Sequence, residues 1–505
     1  MGKRWLRLEF LLLFSVFVIA TCGLVYELVA GALASYLLGD SVRQFSFVIG
    51  IYLFSMGVGS YLAKYLTHNL LDKFIEIETL VGLIGGFSSV ILFLLFDYNA
   101  QFEFALYLMV FLTGCLVGIE LPLLMTLLKD RVEFKDLVSN VLSFDYVGAL
   151  LASLLFPLVL VPQLGLMRTS LFFGLINVAI AIALCFLLGD SVKNRAGLRF
   201  RSILAFALLL AAFLFADHIL SFAEGKLYSE NIFFSKSTPY QRIVLTRDKG
   251  DIRLYLNNNL QFSARDEYRY HESLVHPALS LSPNIGRVLV LGGGDGLALR
   301  EVLKYEAVQE VTLVDLDGAM TDLFKNNSLL AALNGHSLSN PKVTVVNADA
   351  YVWLRENKQP FDAAIIDFPD PSNYSVGKLY TRNFYETLRR SLRPEAVIAV
   401  QTTSPFFAPK SFWCIQRTMG EVFPEVQPYH AYVPSFGEWG FMLASTHAQV
   451  LDQPSLRQVN GLRFYDFQLN RLTYFPGDML RKNVDINRLD NQILVRYFDE
   501  EWSKI

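Results

Sequence analysis

The 505-residue chain holds only four cysteines and almost no net charge. Three of the cysteines, Cys22, Cys115 and Cys185, sit inside apolar runs, and neither they nor Cys414 stand at metal-ligand spacing, which argues against a disulfide framework or a zinc site. A formal net charge of −3 gives no reason to expect nucleic acid as a partner. Charged side chains gather in the later part of the chain, while long apolar runs crowd into the earlier part. With 53% hydrophobic residues overall, the natural reading is a chain in two parts.

Seven stretches of the earlier part are long and apolar enough to cross a bilayer, which takes about 20 helical residues at 1.5 Å each. They run from Phe10 to Leu38, Phe45 to Tyr65, Thr79 to Phe96, Phe104 to Leu128, Tyr146 to Val161, Leu171 to Leu188 and Ile203 to Ile219. The fifth and seventh are the weakest, one being short and the other ending beside Asp217 and His218. An integral membrane domain over 1–222 is expected, with the lipid bilayer as its partner. A cleaved secretory signal does not fit, because the first run is too long and further spans follow. Gly82-x-x-x-Gly86 and Gly114-x-x-x-Gly118 suit close helix packing. Glu27 and Glu120 fall at membrane depth, where an ionisable group is costly; they either make structural hydrogen bonds near helix ends or line a path for a cationic substrate. Lys3, Arg4 and Arg7, and the basic residues of alternate loops, place the N-terminus in the cytoplasm.

After residue 222 the pattern turns to short β-rich runs, then to alternating strands and helices. The span 223–460 reads as an α/β domain of Rossmann-like, methyltransferase type, with a small antiparallel β unit (236–262) before a Rossmann-like part (285–450). Arg287 to Leu291 is a buried strand followed at once by Gly292-Gly293-Gly294-Asp295-Gly296 and a helical segment, an order that brings backbone close to a nucleoside. The strand Glu310 to Val314 ends at Asp315, placed for ribose hydroxyls. A third, Val343 to Val346, leads to Asp349 and Ala350, a usual place for an adenine contact. Asp295 opposes a pyrophosphate and also the carboxylate of S-adenosylmethionine, whereas decarboxylated S-adenosylmethionine ends in an amine alone. The strand Ala363 to Ile366 delivers Asp367 and Asp370, three residues apart, a pair able to hold and deprotonate an amine.

Taken with Tyr240-Gln241, Gln261-x-x-x-x-Asp266-Glu267-x-x-Tyr270-His271-Glu272, Arg300-Glu301, Val314-Asp315-Leu316-Asp317, Leu379-Tyr380 and Phe384-Tyr385, these motifs make residues 236 to 450 resemble the spermidine synthase family of polyamine aminopropyltransferases. Membrane-anchored relatives of that family carry a helix bundle before the catalytic domain. The resemblance implies that Gln241, Gly292, Gly294, Asp315, Asp349 and Ala350 hold the nucleoside, that Tyr270, His271, Asp295 and Asp370 contact amine groups, and that Asp367 accepts a proton. Decarboxylated S-adenosylmethionine is the implied co-substrate and putrescine the implied acceptor, with spermidine and 5′-methylthioadenosine as products; neither a prosthetic group nor a metal is implied. Asn257-Asn258 replaces the family's usual Asp-Gly, Asp315 stands where glutamate is common, and Phe436 lies near the position of a tyrosine that touches substrate.

Two other readings stand beside this one. An S-adenosylmethionine-dependent methyltransferase shares the fold and the ribose acid, and a polyamine sensor or transporter would keep a synthase-like domain only for binding. Seven spans from a cytoplasmic N-terminus would deliver the catalytic domain outside, away from a cytosolic nucleoside substrate, so a cytoplasmic domain requires one weak segment not to cross. The C-terminal extension 461–505 carries no catalytic pattern and is expected to dock on the domain. A homo-oligomer is compatible with the sequence.

Overall fold

The computed structural model describes residues 2–38, 41–95, 99–129, 133–188, 192–220, 230–448 and 455–504. They form two compact units, Met1–Asn231 and Ile232–Ile505.

In the first unit, apolar sequence without strong turn signals becomes helix throughout: α1 (Gly2–Leu38), α2 (Ser41–Ala63), α3 (Leu70–Leu95), α4 (Asn99–Leu128), α5 (Phe134–Leu155), α6 (Val161–Leu187) and α7 (Arg195–Leu214). Among the described residues six helical runs are long and apolar enough to cross a membrane, and the fifth and sixth expected segments fall within one of them, Lys135–Leu187, on either side of Gly165. The reason is local. Pro157 and Pro162 do not stop the chain, which passes through one π-helical stretch, Phe156–Leu160, and bends only at Gly165 (φ +72°). Both glycine pairs are packing devices: a Cβ on Gly118 would lie 2.2 Å from the Met56 carbonyl oxygen of α2, and one on Gly82 would lie 2.8 Å from the Gly174 carbonyl oxygen of α6. Backbones meet there at distances only glycine permits.

The second unit opens with a four-stranded antiparallel sheet, β1 (Asn231–Ser237), β2 (Arg242–Asp248), β3 (Asp251–Leu256) and β4 (Asn259–Ser263). Lys249 (φ 47°) and Gly250 (φ 86°) make the tight turn between β2 and β3. Helix α8 (Glu267–Leu281) leads to the main sheet, whose strands are β5 (Arg287–Gly292), β6 (Glu310–Asp315), β7 (Val343–Asn347), β8 (Phe361–Asp367), β9 (Leu392–Gln401), β10 (Glu425–Val433) and β11 (Gly437–Ser445). Their order is β10-β11-β9-β8-β5-β6-β7, parallel from β9 to β7 with an antiparallel hairpin at the other edge. Near-continuous Val, Ile, Leu and Ala in β5, β6 and β8 fit strands covered on both faces, and separate apolar clusters lie on the two sides. The chain moves from β5 outward through β6 and β7, then returns to the opposite side of β5 with β8, so a topological switch point falls between β5 and β8.

The C-terminal extension is tied to this unit. Glu272 of α8, 1% exposed, accepts the backbone N–H groups of Arg463, Phe464 and Tyr465 at 2.8–3.0 Å. Farther on, Glu501 in the helix Ile493–Trp502 accepts from the N–H groups of Lys410 and Ser411.

Candidate active site

Register assembles the site at the C-terminal ends of the parallel strands. Gly292 of β5 pairs with Asp367 of β8, and Asp315 ends β6 next door, paired with Asn347 of β7. The loop after β5 takes positive φ at Gly292 (76°), Gly293 (66°) and Gly296 (77°), which favours glycine at each. It also has no room for side chains: a Cβ on Gly292 would come within 2.2 Å of the Asp367 carbonyl oxygen, and one on Gly294 within 2.8 Å of the Asp315 carboxyl carbon. Asp315 in turn accepts the N–H groups of Gly294 (3.0 Å) and Asp317 (2.9 Å). The glycines thus let a loop lie flat between two carboxylates.

Three acids and one cation share this floor. Asp367 accepts the Tyr270 hydroxyl at 2.6 Å, and Asp295 caps the first turn of α9 (Leu297–Val302) through the Leu297 N–H. Burial raises the pKa of Asp367, opposed by the charge of His271 and the Tyr270 hydrogen bond. Burial likewise pushes Asp295 up to about 6, again against His271, and Asp315 to about 6, against the N–H groups it accepts. For His271 burial works to lower the pKa, yet the Glu267 carboxylate 2.7 Å away carries it to about 9. The imidazolium is therefore charged at neutral pH and favours ionised carboxylates around it. Glu267 is held in turn by Arg300 at 2.9 and 3.0 Å, making a chain of charge from Arg300 through Glu267 to His271.

Asp370 lies beyond the end of β8. Its Oδ1 is buried with no hydrogen-bond partner among the described residues, and burial pushes the group up to about 7 against the Gln401 and Thr403 side chains. Around it Gln401 donates to the Tyr380 hydroxyl (3.0 Å) and the Phe368 carbonyl, and accepts from the Trp439 indole at 3.2 Å. Phe436 packs edge-on against Tyr270. Asp370 thus keeps one buried carboxylate oxygen without a partner among the described residues.

Of the residues expected from sequence, Tyr270, His271, Asp295, Asp315 and Asp367 meet within electrostatic reach of one another, with Gly292 and Gly294 between them and Asp370 within reach of Tyr270. Gln241 is directed instead to Asp317, whose Oδ2 accepts from its amide (2.9 Å) and from the Thr238 hydroxyl (2.8 Å). Asp349 caps the helix Ala350–Glu356 and is paired with Lys378 at 2.5 Å; Ala350 is the first residue of that helix, buried. Glu267, Arg300, Asp317 and Gln401 carry structure that sequence reasoning did not assign. The four-residue spacing of Glu267 and His271 on one helix face is the signal that was available for the first of them.

Fold and site together define a nucleoside-handling α/β transferase whose reacting floor is acidic. Comparison makes this specific. The Spermine/spermidine synthase domain family matches residues 267–454. A polyamine aminopropyltransferase of Leptospira interrogans is 54% identical, aligned over 97% of this chain and 98% of its own, and polyamine aminopropyltransferase 1 of Streptomyces coelicolor is 44% identical over 98% and 95%. Among solved structures, a spermidine synthase in complex with the transition-state analogue AdoDATO is 28% identical with a TM-score of 0.45, spanning 49% of this chain and 86% of its own. The chain belongs to the spermine/spermidine synthase family and is a polyamine aminopropyltransferase, an enzyme whose co-substrate is decarboxylated S-adenosylmethionine.

Proposed function

We propose that this enzyme transfers the aminopropyl group to putrescine, giving spermidine and 5′-methylthioadenosine. The observation that carries this reading is Asp367, fixed at the end of β8 by the Tyr270 hydroxyl and followed three residues later by the open oxygen of Asp370. The reaction is a displacement at the carbon next to a sulfonium, which leaves as a neutral thioether. Its one demand is a neutral amine, and an amine at neutral pH is protonated. Asp367 takes that proton while Asp370 holds the far ammonium of a short diamine. Asp295, with Tyr270 and His271 beside it, receives the amine of the aminopropyl donor, and its charge selects the decarboxylated nucleoside. Gly292 and Gly294 let the nucleoside approach the backbone, Asp315 faces the ribose, and Gln241, Asp349 and Ala350 border the adenine; Lys378 must release Asp349 for this. Incubation of the purified enzyme with decarboxylated S-adenosylmethionine and a panel of amines tests the reading. A spermidine mass from putrescine is expected, whereas product only from longer amines refutes the acceptor, and equal use of S-adenosylmethionine revives methyl transfer.

The same reading assigns 1–222 to the membrane, 223–460 to catalysis in the cytoplasm and 461–505 to a docked extension. The weak segment that does not cross is assigned to α5, which carries Lys135, Asp136 and Asp145, charges that a crossing would take into the bilayer. Crossings by the remaining six helices return the chain to the side of its N-terminus. Reporter fusions after Glu224 test this: activity of a periplasmic-type reporter with a silent cytoplasmic one refutes it.

A further inference from the structure

The helical unit buries polar side chains that aminopropyl transfer does not use. Glu78 on α3 is 0% exposed and Glu120 on α4 is 1% exposed, and among the described residues neither carboxyl has a hydrogen-bond partner. The two lie within electrostatic reach of each other, and both reach Tyr26 on α1. Tyr26, 3% exposed, has no partner for its hydroxyl. Asn177 on α6, 0% exposed, has a partner for neither amide atom, and it abuts Gly82, one turn along α3 from Glu78. Four helices thus turn unpaired polar atoms toward one region inside an apolar cluster that includes Val25, Val81 and Val117.

Unpaired buried carboxylates are costly, and inside a helix bundle they mark places where a cation is received. The atoms present say which kind. Four carboxylate oxygens, an amide oxygen and a phenol oxygen supply acceptors for the three N–H donors of a primary ammonium, while the apolar surroundings suit methylene groups. Calcium and magnesium ask for six or more ordered oxygens, zinc for about four ligands rich in His and Cys, and the described residues contain no group of three His, Cys, Asp or Glu able to hold a metal. Beside Tyr26 a crevice lined by Glu27, Tyr52, Ser88 and Thr113 has a volume of about 10 Å³, room for about one water. Side chains must part before an amine enters, so exchange is slow.

We propose that Glu78, Glu120, Asn177 and Tyr26 form a second amine site, a buried receptor for the ammonium head of a di- or polyamine within the helical unit. The choice of amine rests on the aminopropyl-transfer reading; the unpaired carboxyls do not. Equilibrium dialysis of the full chain in detergent against radiolabelled putrescine counts the sites. Two per chain are expected, one lost in Asp370→Asn and the other in Glu78→Gln and in Glu120→Gln. No site, a single site abolished by Asp370→Asn, or two sites that persist in both glutamine variants overturns the inference, and the amine-panel assay judges aminopropyl transfer separately. A single site that survives Asp370→Asn and vanishes in Glu78→Gln supports the inference while removing Asp370 from amine binding. Where the glutamine variants do not fold, a protein carrying both Asp295→Asn and Asp370→Asn, and so neither amine-holding carboxylate of the catalytic site, decides: putrescine bound to it and displaced by spermidine but not by sodium supports the second site, and no bound putrescine overturns it.

Discussion

Replacing Asp367 by asparagine keeps the shape of the side chain and an oxygen able to accept the Tyr270 hydroxyl, whose donor lies 2.6 Å away. What is lost is the proton acceptor. General-base contributions of about 100- to 10,000-fold correspond to about 3 to 5 kcal/mol of barrier, so turnover in Asp367→Asn at neutral pH should fall by that factor while methylthioadenosine still binds. The deficit should shrink as pH rises. An alkylammonium with a pKa near 10 gains about tenfold in its neutral form per pH unit below that value, and an already neutral amine needs no base. Tyr270→Phe supplies the companion measurement. The Tyr270 hydrogen bond lowers the pKa of Asp367, so its removal should move the acid limb of kcat to higher pH, and the same change in the Asp367→Asn background should move nothing. Single-turnover rates from pH 6 to 10, with folding checked by melting, carry the test. Near-normal turnover of folded Asp367→Asn at pH 7 would refute the assignment.

Asp370, pushed up to about 7, must be ionised to hold a cation, so the acceptor KM should rise as pH falls through 7, by about tenfold per unit well below it; in Asp370→Asn, KM should be high and flat with pH. Glu267→Gln removes the carboxylate that carries His271 to about 9. Burial should then leave the imidazole neutral at pH 7, the pKa values of Asp295 and Asp367 should rise, and the acid limb of kcat/KM should shift upward; an unshifted limb would show that the imidazolium does not tune the site. Asp295→Asn should narrow the preference for decarboxylated over ordinary S-adenosylmethionine in calorimetric titration, and an unchanged preference would move that selection elsewhere. Glu272→Ala strands three backbone N–H groups of the extension, which should cost on the order of 3 kcal/mol and expose the residues near Arg463 to limited proteolysis; an extension that stays protected would show that other contacts hold it.

Periodicity and short motifs determined a good deal. Apolar runs marked helices, the strand-loop-helix order around Gly292 marked the Rossmann-like part, and Asp315 and Asp367 could be placed at strand ends because a buried parallel strand announces itself in four or five consecutive apolar residues. Periodicity placed two segments in the run from Lys135 to Leu187, and the chain does kink between them, at Gly165; what it did not show is that no polar loop parts them. Other features have no local signature at all. The partnership of Gln241 with Asp317, the charge chain from Arg300 through Glu267 to His271, and the open oxygen of Asp370 beneath Gln401 and Trp439 join residues 33 to 76 positions apart in the longer-range cases. The same holds for the unpaired carboxyls of Glu78 and Glu120. A residue's type and its neighbours in sequence state what it is able to bond, but which groups reach it, and how far water is excluded when they do, follow from how helices and strands distant in the chain are packed.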